Sequence, residues 1–313
     1  MKIVQVEVST KCQLRCMMCP RTIYRREWIN ADMSLESFRK IPFYKFDFAH
    51  LQGWGEPLLN PRIEEMIDIA KKHCRVGLTT NGLLVDEFNI KKLDYLAVSI
   101  ASADEKKHRE IRKTSLEALL TKVEKIASDV DITLVFMMMK DTYHELPDIV
   151  EIAKEIGAKT VIANNLDYMP VKELEEQAIF LRETDYEPIE VAKIKAKKLG
   201  VRLIVKEIKM EEVLVCAENP INNLLVTYEG KITPCVYLHL PTRSNKISRV
   251  LRGREFEIEK VYFGYVDDRK SWKKYKKFGE VFERRKNLGY SLLPLDFPQL
   301  PECCRTCYKA YGV

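Results

Sequence analysis

Cys12-Gln13-Leu14-Arg15-Cys16-Met17-Met18-Cys19 follows directly on an alternating β-type run, Val4-Gln5-Val6-Glu7-Val8. The pattern places three thiols in one loop at the end of a strand. Three close thiolates can hold three irons of a four-iron cluster. The fourth iron is then left without a protein ligand, open to chemistry that a fully ligated electron carrier cannot do. Structural zinc asks for four ligands, and no fourth Cys or His lies nearby.

This spacing, three residues and then two, resembles the signature of the radical S-adenosylmethionine (SAM) enzymes. In that family the amino and carboxylate groups of SAM chelate the open iron, and an electron from the reduced cluster releases a 5′-deoxyadenosyl radical. The resemblance makes Cys12, Cys16 and Cys19 the ligands of a [4Fe-4S] cluster. The residue before the third Cys is usually aromatic and packs on the adenine edge. Here it is Met18, whose thioether offers apolar contact instead.

Outward from this loop the sequence alternates strands and helices. Residues 46–51 read as a second strand, ending in Gly53-Trp54-Gly55-Glu56-Pro57. Asn60 and Pro61 open a helix with an Ile63, Met66, Ile67, Ala70 stripe. Strands follow at 74–80, 94–100, 131–138 and 160–163, with helices starting at Ser115 and near Leu146, the latter stopped by Gly157. Two more helices and a strand at 201–205 are expected between Val171 and Lys206. Six strand–helix units in series predict an α/β fold with parallel strands, and the resemblance implies a partial (β/α)6 barrel. In such barrels the active groups stand at the carboxyl ends of the strands. The cluster loop, the Gly53-Trp54-Gly55-Glu56 segment, Thr79-Thr80-Asn81, Ser99 with Ser102, and Asn164 all fall there.

In the family a Gly-Gly-Glu-type segment contacts the SAM amino group. Gly53, Gly55 and Glu56 match it, and Met18 joins them as an adenine contact. Asn81, Ser99 and Asn164 are candidates for the SAM ribose or carboxylate, and Arg112 for the carboxylate as a bidentate guanidinium. A loop cap or a surface charge accounts equally well for these last four. No residue is singled out as a catalytic acid or base. Cys74 reads as a strand thiol, and the Met137-Met138-Met139 run as core or barrel lining.

A second cysteine set lies beyond a boundary placed between 206 and 207. Cys216 precedes a predicted hairpin, residues 224–228 and 231–233, turned by Glu229-Gly230. Cys235 closes the hairpin, and Cys303-Cys304-Arg305-Thr306-Cys307 comes some seventy residues later. Spacing alone serves zinc and iron–sulfur equally. The Cys216 to Cys235 stretch resembles the start of the SPASM/twitch extensions of radical SAM enzymes, which implies an auxiliary [4Fe-4S] cluster on Cys216, Cys235, Cys304 and Cys307. Cys303 is an alternative to Cys304. The further cysteines of the longer SPASM form are not present, so residues 207–313 resemble the shorter twitch type, after a radical SAM partial barrel over 1–206. Residues 269–286, rich in Lys, Arg and rings, read as an amphipathic helix with a solvated basic face rather than a nucleic-acid site.

Nine cysteines without a signal-peptide pattern, and without an apolar run long enough to span a bilayer, lead to the expectation of a cytoplasmic protein that uses its thiols for metal rather than for disulfides. A net charge of +6 suits a phosphorylated substrate or an acidic, ferredoxin-like electron donor. The motif wording, Cys-Met-Met-Cys-Pro-Arg, Gly-Trp-Gly-Glu-Pro-Leu-Leu-Asn-Pro and Leu-Thr-Thr-Asn-Gly, resembles the cofactor-modifying maturases of tungsten-containing aldehyde ferredoxin oxidoreductases. That resemblance implies a tungstopterin-type substrate and a tungsten oxidoreductase as partner. Peptide or protein modification and small-alcohol oxidation use the same extension and stay open. So do two readings from other classes, a two-cluster electron carrier without SAM chemistry and a zinc-binding regulatory protein.

Overall fold

The computed structural model describes residues 1–289 and 297–313. Strand β1 (Ile3–Val6) sits inside a ten-stranded sheet. One edge of β1 pairs in parallel with β2 (Phe48–Leu51), and the parallel order continues through β3 (Arg75–Thr80), β4 (Tyr95–Ile100), β5 (Ile132–Met138), β6 (Thr160–Asn165) and β7 (Arg202–Val205). The other edge pairs in parallel with β8 (Asn223–Val226). From there β9 (Lys231–Thr233) turns back antiparallel, and a short strand, Gly264–Tyr265, closes the row. The sheet is therefore mixed and open, with β7 at one edge, in keeping with a partial rather than a closed barrel. A separate hairpin, Lys246–Leu251 with Arg254–Glu259, stands outside it.

Helices cover the parallel strands as crossovers must. After a four-residue α1 (Pro20–Ile23) come α2 (Leu35–Arg39), α3 (Ile63–Lys71), α4 (Glu105–Arg112), α5 (Leu116–Ile126), α6 (Leu146–Glu155) and α7 (Glu187–Leu199). The stripe Ile63, Met66, Ile67, Ala70 of α3 is fully buried. Each of its larger side chains contributes roughly 1.5–3 kcal/mol. The basic segment Arg269–Leu288 is one continuous helix, α8, whose buried face includes Ser271, Gly279, Phe282 and Arg285.

Two local expectations change, and one helix appears that the sequence did not announce. Helix α4 has no apolar stripe to announce it, because only His108, Ile111 and Arg112 of its eight residues are buried; the Asp104 cap, accepting from Lys107 N at 2.8 Å, starts it. Of the two helices expected after Val171, the first is a pair of 3-10 turns, Lys172–Gln177 and Ile179–Leu181. There Glu175 accepts from Gly253 N (2.8 Å) and Tyr308 O–H (2.6 Å), so tertiary contacts hold the chain. Asn60 stands ahead of the α3 cap residue Arg62 and braces it: Oδ1 accepts from Arg62 N, while Nδ2 donates to Val8 O (2.7 Å) and Met33 O (3.1 Å).

Candidate functional site

The cysteine loop is tied down on every side. Trp28 Nε1 donates to Thr10 O at 2.9 Å, Thr10 Oγ1 donates to Ile29 O at 2.6 Å, and Lys11 pairs with Asp32 at 2.6 Å. Glu56 N reaches back to Lys11 O at 2.6 Å, and Met17 N donates to Ile111 O of α4 at 2.9 Å. The backbone at Gly55 lies so close to Ser9 and Lys11 that a Cβ would collide with main-chain atoms, and one at Gly53 would strike the Glu7 side chain. Close approach of the second strand's end to the loop is thus what requires glycine at both positions.

Cys12, Cys16 and Cys19 line one cavity of about 330 Å³ at the carboxyl ends of β1–β6. The same cavity takes in Met18, Gly53, Gly55, Glu56, Asn81, Ser99, Arg112 and Asn164, so all the family-implied contacts meet in one chamber. Burial raises the Cys12 thiol and pushes Cys19 up to about 12. At Cys12 and Cys19 burial thus opposes the thiolate, a cost that a bound metal's charge would offset. The three sulfurs share the cavity without converging on one point. Among the described residues no three His, Cys, Asp or Glu side chains are close enough to chelate a single ion. A four-iron cluster takes one thiolate per iron, so this donor set fits it.

Several candidates act first as structure. Glu56 is 2% exposed; its carboxylate accepts from Leu58 N (3.1 Å), Thr80 Oγ1 (2.8 Å) and Asn81 N (2.7 Å). Burial raises its pKa, against the pull of these hydrogen bonds and of Arg112. The Asn81 side chain turns to the cysteine loop, donating to Gln13 Oε1 at 3.1 Å, with Cys12 Sγ 3.8 Å away. Arg112 donates Nη1 to Ser99 O, and its buried Nε has no hydrogen-bond partner among the described residues. Ser102 instead donates to Glu145 Oε2 at 2.5 Å and does not line the chamber. The Asn164 side chain lines it with no hydrogen-bond partner among the described residues, whereas Asn165 donates to Glu207 O. Cys74 lies apart, its thiol 3.7 Å from Ala70 O.

Apart from Trp54, the aromatic wall and the groups behind it carry no sequence signal. Trp54, Tyr168 and Tyr237 form a ring cluster with centroids 5.3–6.4 Å apart. Asp167 accepts from Tyr237 O–H at 2.9 Å and pairs with the buried Lys309 at 2.5 Å. The Glu7 carboxylate, 0% exposed, accepts from Trp54 N (3.1 Å) and meets His239 Nε2 (2.7 Å), whose Nδ1 meets Tyr262 O–H (2.6 Å). Glu7, Asp167, His239 and Lys309 come from four distant segments, and no local motif marks them.

A second, smaller cavity gathers Cys216, Cys235, Cys303, Cys304 and Cys307 with Glu218, Arg249 and Lys309. Burial pushes Cys216 up to about 12 and raises Cys235 and Cys307 as well. The Cys303 and Cys304 sulfurs are 4.0 Å apart, and both line the space. Tyr237 lines both cavities and stands between the two cysteine sets.

Residues 6–153, a little under half of the chain, match the family model of the radical SAM superfamily. The chain is 25% identical, over 86% of its own length and 79% of the relative's, to the tungsten-containing aldehyde ferredoxin oxidoreductase cofactor-modifying protein of Pyrococcus furiosus. It is 26% identical to a probable GTP 3′,8-cyclase of Methanococcus maripaludis, over 85% and 94% of the two chains. A solved structure of polyhistidine-tagged anSMEcpe with bound AdoMet superposes with a TM-score of 0.65 at 17% identity, over 99% of this chain and 84% of that one. The shared fold thus continues through the C-terminal part. Among the described residues no helix is long and apolar enough to cross a membrane.

Proposed function

We propose that the chain binds SAM beside a [4Fe-4S] cluster on Cys12, Cys16 and Cys19, and uses it to modify a tungstopterin-type cofactor or its precursor. The observation that carries this is the single chamber shared by three buried thiols and the Gly53-Trp54-Gly55-Glu56 segment. A cluster held by Cys12, Cys16 and Cys19 would supply an open iron for SAM and an electron for its reductive cleavage. The chain's own groups do the rest by placement. Gly53 and Gly55 let the backbone pass close to the loop, and Glu56 locks the ends of β2 and β3 in register. Arg112, fixed by the Ser99 carbonyl, offers its guanidinium to a carboxylate in the chamber. The Trp54, Tyr168 and Tyr237 rings supply an apolar wall for a flat substrate and help to exclude water.

The second cysteine set serves, in this reading, an auxiliary cluster on Cys216, Cys235, Cys307 and one of Cys303 and Cys304. Its position across Tyr237 from the chamber suits an exchange of electrons with a substrate radical. The tungstopterin assignment rests on the Pyrococcus relative, and the GTP-cyclase relative supports a phosphorylated heterocycle as the alternative. The test supplies reduced protein and SAM with a tungstopterin extract, GTP or a cysteine-containing peptide in turn, and follows each compound by mass spectrometry. The expected result is turnover-dependent change of the pterin alone. Turnover of GTP or the peptide, with the pterin unchanged, would overturn the substrate assignment.

A further inference from the structure

Two carboxylates line the chamber, and they differ in what they have left to offer. Glu56 already accepts three hydrogen bonds, from Leu58 N, Thr80 Oγ1 and Asn81 N. Asp167 stands two residues past the end of β6, with its side chain 11% exposed. It has two partners among the described residues: Oδ1 accepts from Tyr237 O–H at 2.9 Å, and Oδ2 pairs with Lys309 Nζ at 2.5 Å. The two oxygens of a carboxylate accept about four hydrogen bonds, so Asp167 keeps acceptor capacity on both. The Lys309 ammonium balances its charge, and a neutral donor can join the pair without leaving a net charge in the wall.

The rings beside Asp167 have already committed their own N–H and O–H hydrogens. Trp54 Nε1 donates to His239 O at 2.7 Å, Tyr168 O–H to Ser248 O at 3.1 Å, and Tyr237 O–H to Asp167 itself. Carbon faces of three rings next to a paired acceptor select a flat ligand with two adjacent N–H donors on one edge. A phosphate or a carbonyl edge would meet only repulsion from the carboxylate. We propose that Asp167 determines specificity in the chamber, accepting from the ring N–H and the neighbouring amino group of an aminopyrimidinone edge, the edge that pterins and guanine share, while the rings pack on the heterocycle. The inference rests on the chamber being the substrate site, and it adds which edge of the substrate is read and by which residue.

The test measures binding to the reconstituted, unreduced holoenzyme with SAM saturating, so that no turnover occurs and the SAM site is filled. Calorimetry compares pterin with lumazine, whose carbonyl oxygen replaces the amino group, and guanosine with inosine, which lacks the amino group. Wild type should prefer the amino-bearing member of each pair by about tenfold or more, the worth of a hydrogen bond to a charged acceptor. Asp167→Asn exchanges one acceptor oxygen for a donor and should bring both ratios close to one. Because that change leaves Lys309 buried without its carboxylate, the double variant Asp167→Asn/Lys309→Met is measured beside it and should lose the same preference. A role as a structural strut alone predicts weaker binding of both members with the ratio kept, and that result overturns the proposal. So does equal affinity within each pair for wild type, or no binding of any of the four compounds. Turnover of a pterin that is bound no better than lumazine removes Asp167 and leaves the substrate assignment standing. Turnover of GTP with the pterin unchanged, beside an Asp167-dependent guanosine preference, overturns that assignment and leaves Asp167 in place.

Discussion

Replacing His239 by Leu should release the strap that joins the first strand to the C-terminal part of the chain. Glu7 is fully buried and has two partners, Trp54 N at 3.1 Å and His239 Nε2 at 2.7 Å; His239 in turn meets Tyr262 O–H at 2.6 Å. His239→Leu leaves a buried carboxylate with one hydrogen bond, a loss of about 3–5 kcal/mol. Unfolding entropy for 313 residues is about 0.7 kcal/mol/K, so Tm should fall by about 4–7 °C. Glu7→Gln removes the charge itself and should cost less, about 1–3 kcal/mol. The double variant should cost no more than His239→Leu alone, giving a coupling at least as large as the cost of Glu7→Gln, about 1–3 kcal/mol. Anaerobic urea unfolding of the four proteins completes the cycle. Additivity within about 0.5 kcal/mol would refute the buried pair as an energetic unit. Because Glu7 also holds Trp54 N, SAM affinity should fall with stability in His239→Leu.

Gly55→Ala puts a Cβ against the main chain at Ser9 and Lys11, where no side chain can yield; a loss of about 1–3 kcal/mol and weaker SAM binding are expected by thermal unfolding and calorimetry. His108 is fully buried, neither ring nitrogen makes a full hydrogen bond among the described residues, and burial followed by the Arg112 charge lowers its pKa to about 4. The unfolded chain takes up this proton near pH 6.5 and the folded chain only near 4, so stability is lost as pH falls through that window, by about 3 kcal/mol in all. His108→Leu should flatten the acid limb of a stability profile between these pH values; an unchanged limb would exclude His108 as its source. Cys303→Ser and Cys304→Ser separate the two neighbours: the variant of the true ligand should lose the auxiliary signal in electron paramagnetic resonance, and the other should keep it.

The loop, the succession of parallel strands and the chamber's thiols could be read from the sequence because each rests on local signals. A three-then-two cysteine spacing, strand ends with Gly53-Trp54-Gly55, and the 3.6-residue stripe of Ile63, Met66 and Ile67 are all visible within a few residues of themselves. Bringing Cys216 and Cys235 to Cys303, Cys304 and Cys307 followed from resemblance, and the structure gathers all five around one space. What stayed hidden was long-range. The Glu7–His239 contact spans 232 residues, and Lys309–Asp167 joins segments that carry no motif. The parallel pairing of β1 with β8 was hidden for the same reason: nothing local to 223–226 says which strand it will meet.

The most direct test of the chamber is anaerobic reconstitution followed by reduction in the presence of SAM, comparing wild type with Cys16→Ala and assaying 5′-deoxyadenosine together with iron. Two four-iron clusters predict about eight irons per chain and 5′-deoxyadenosine from wild type only. An iron-loaded wild type that never cleaves SAM would contradict the account and leave a two-cluster electron carrier in its place.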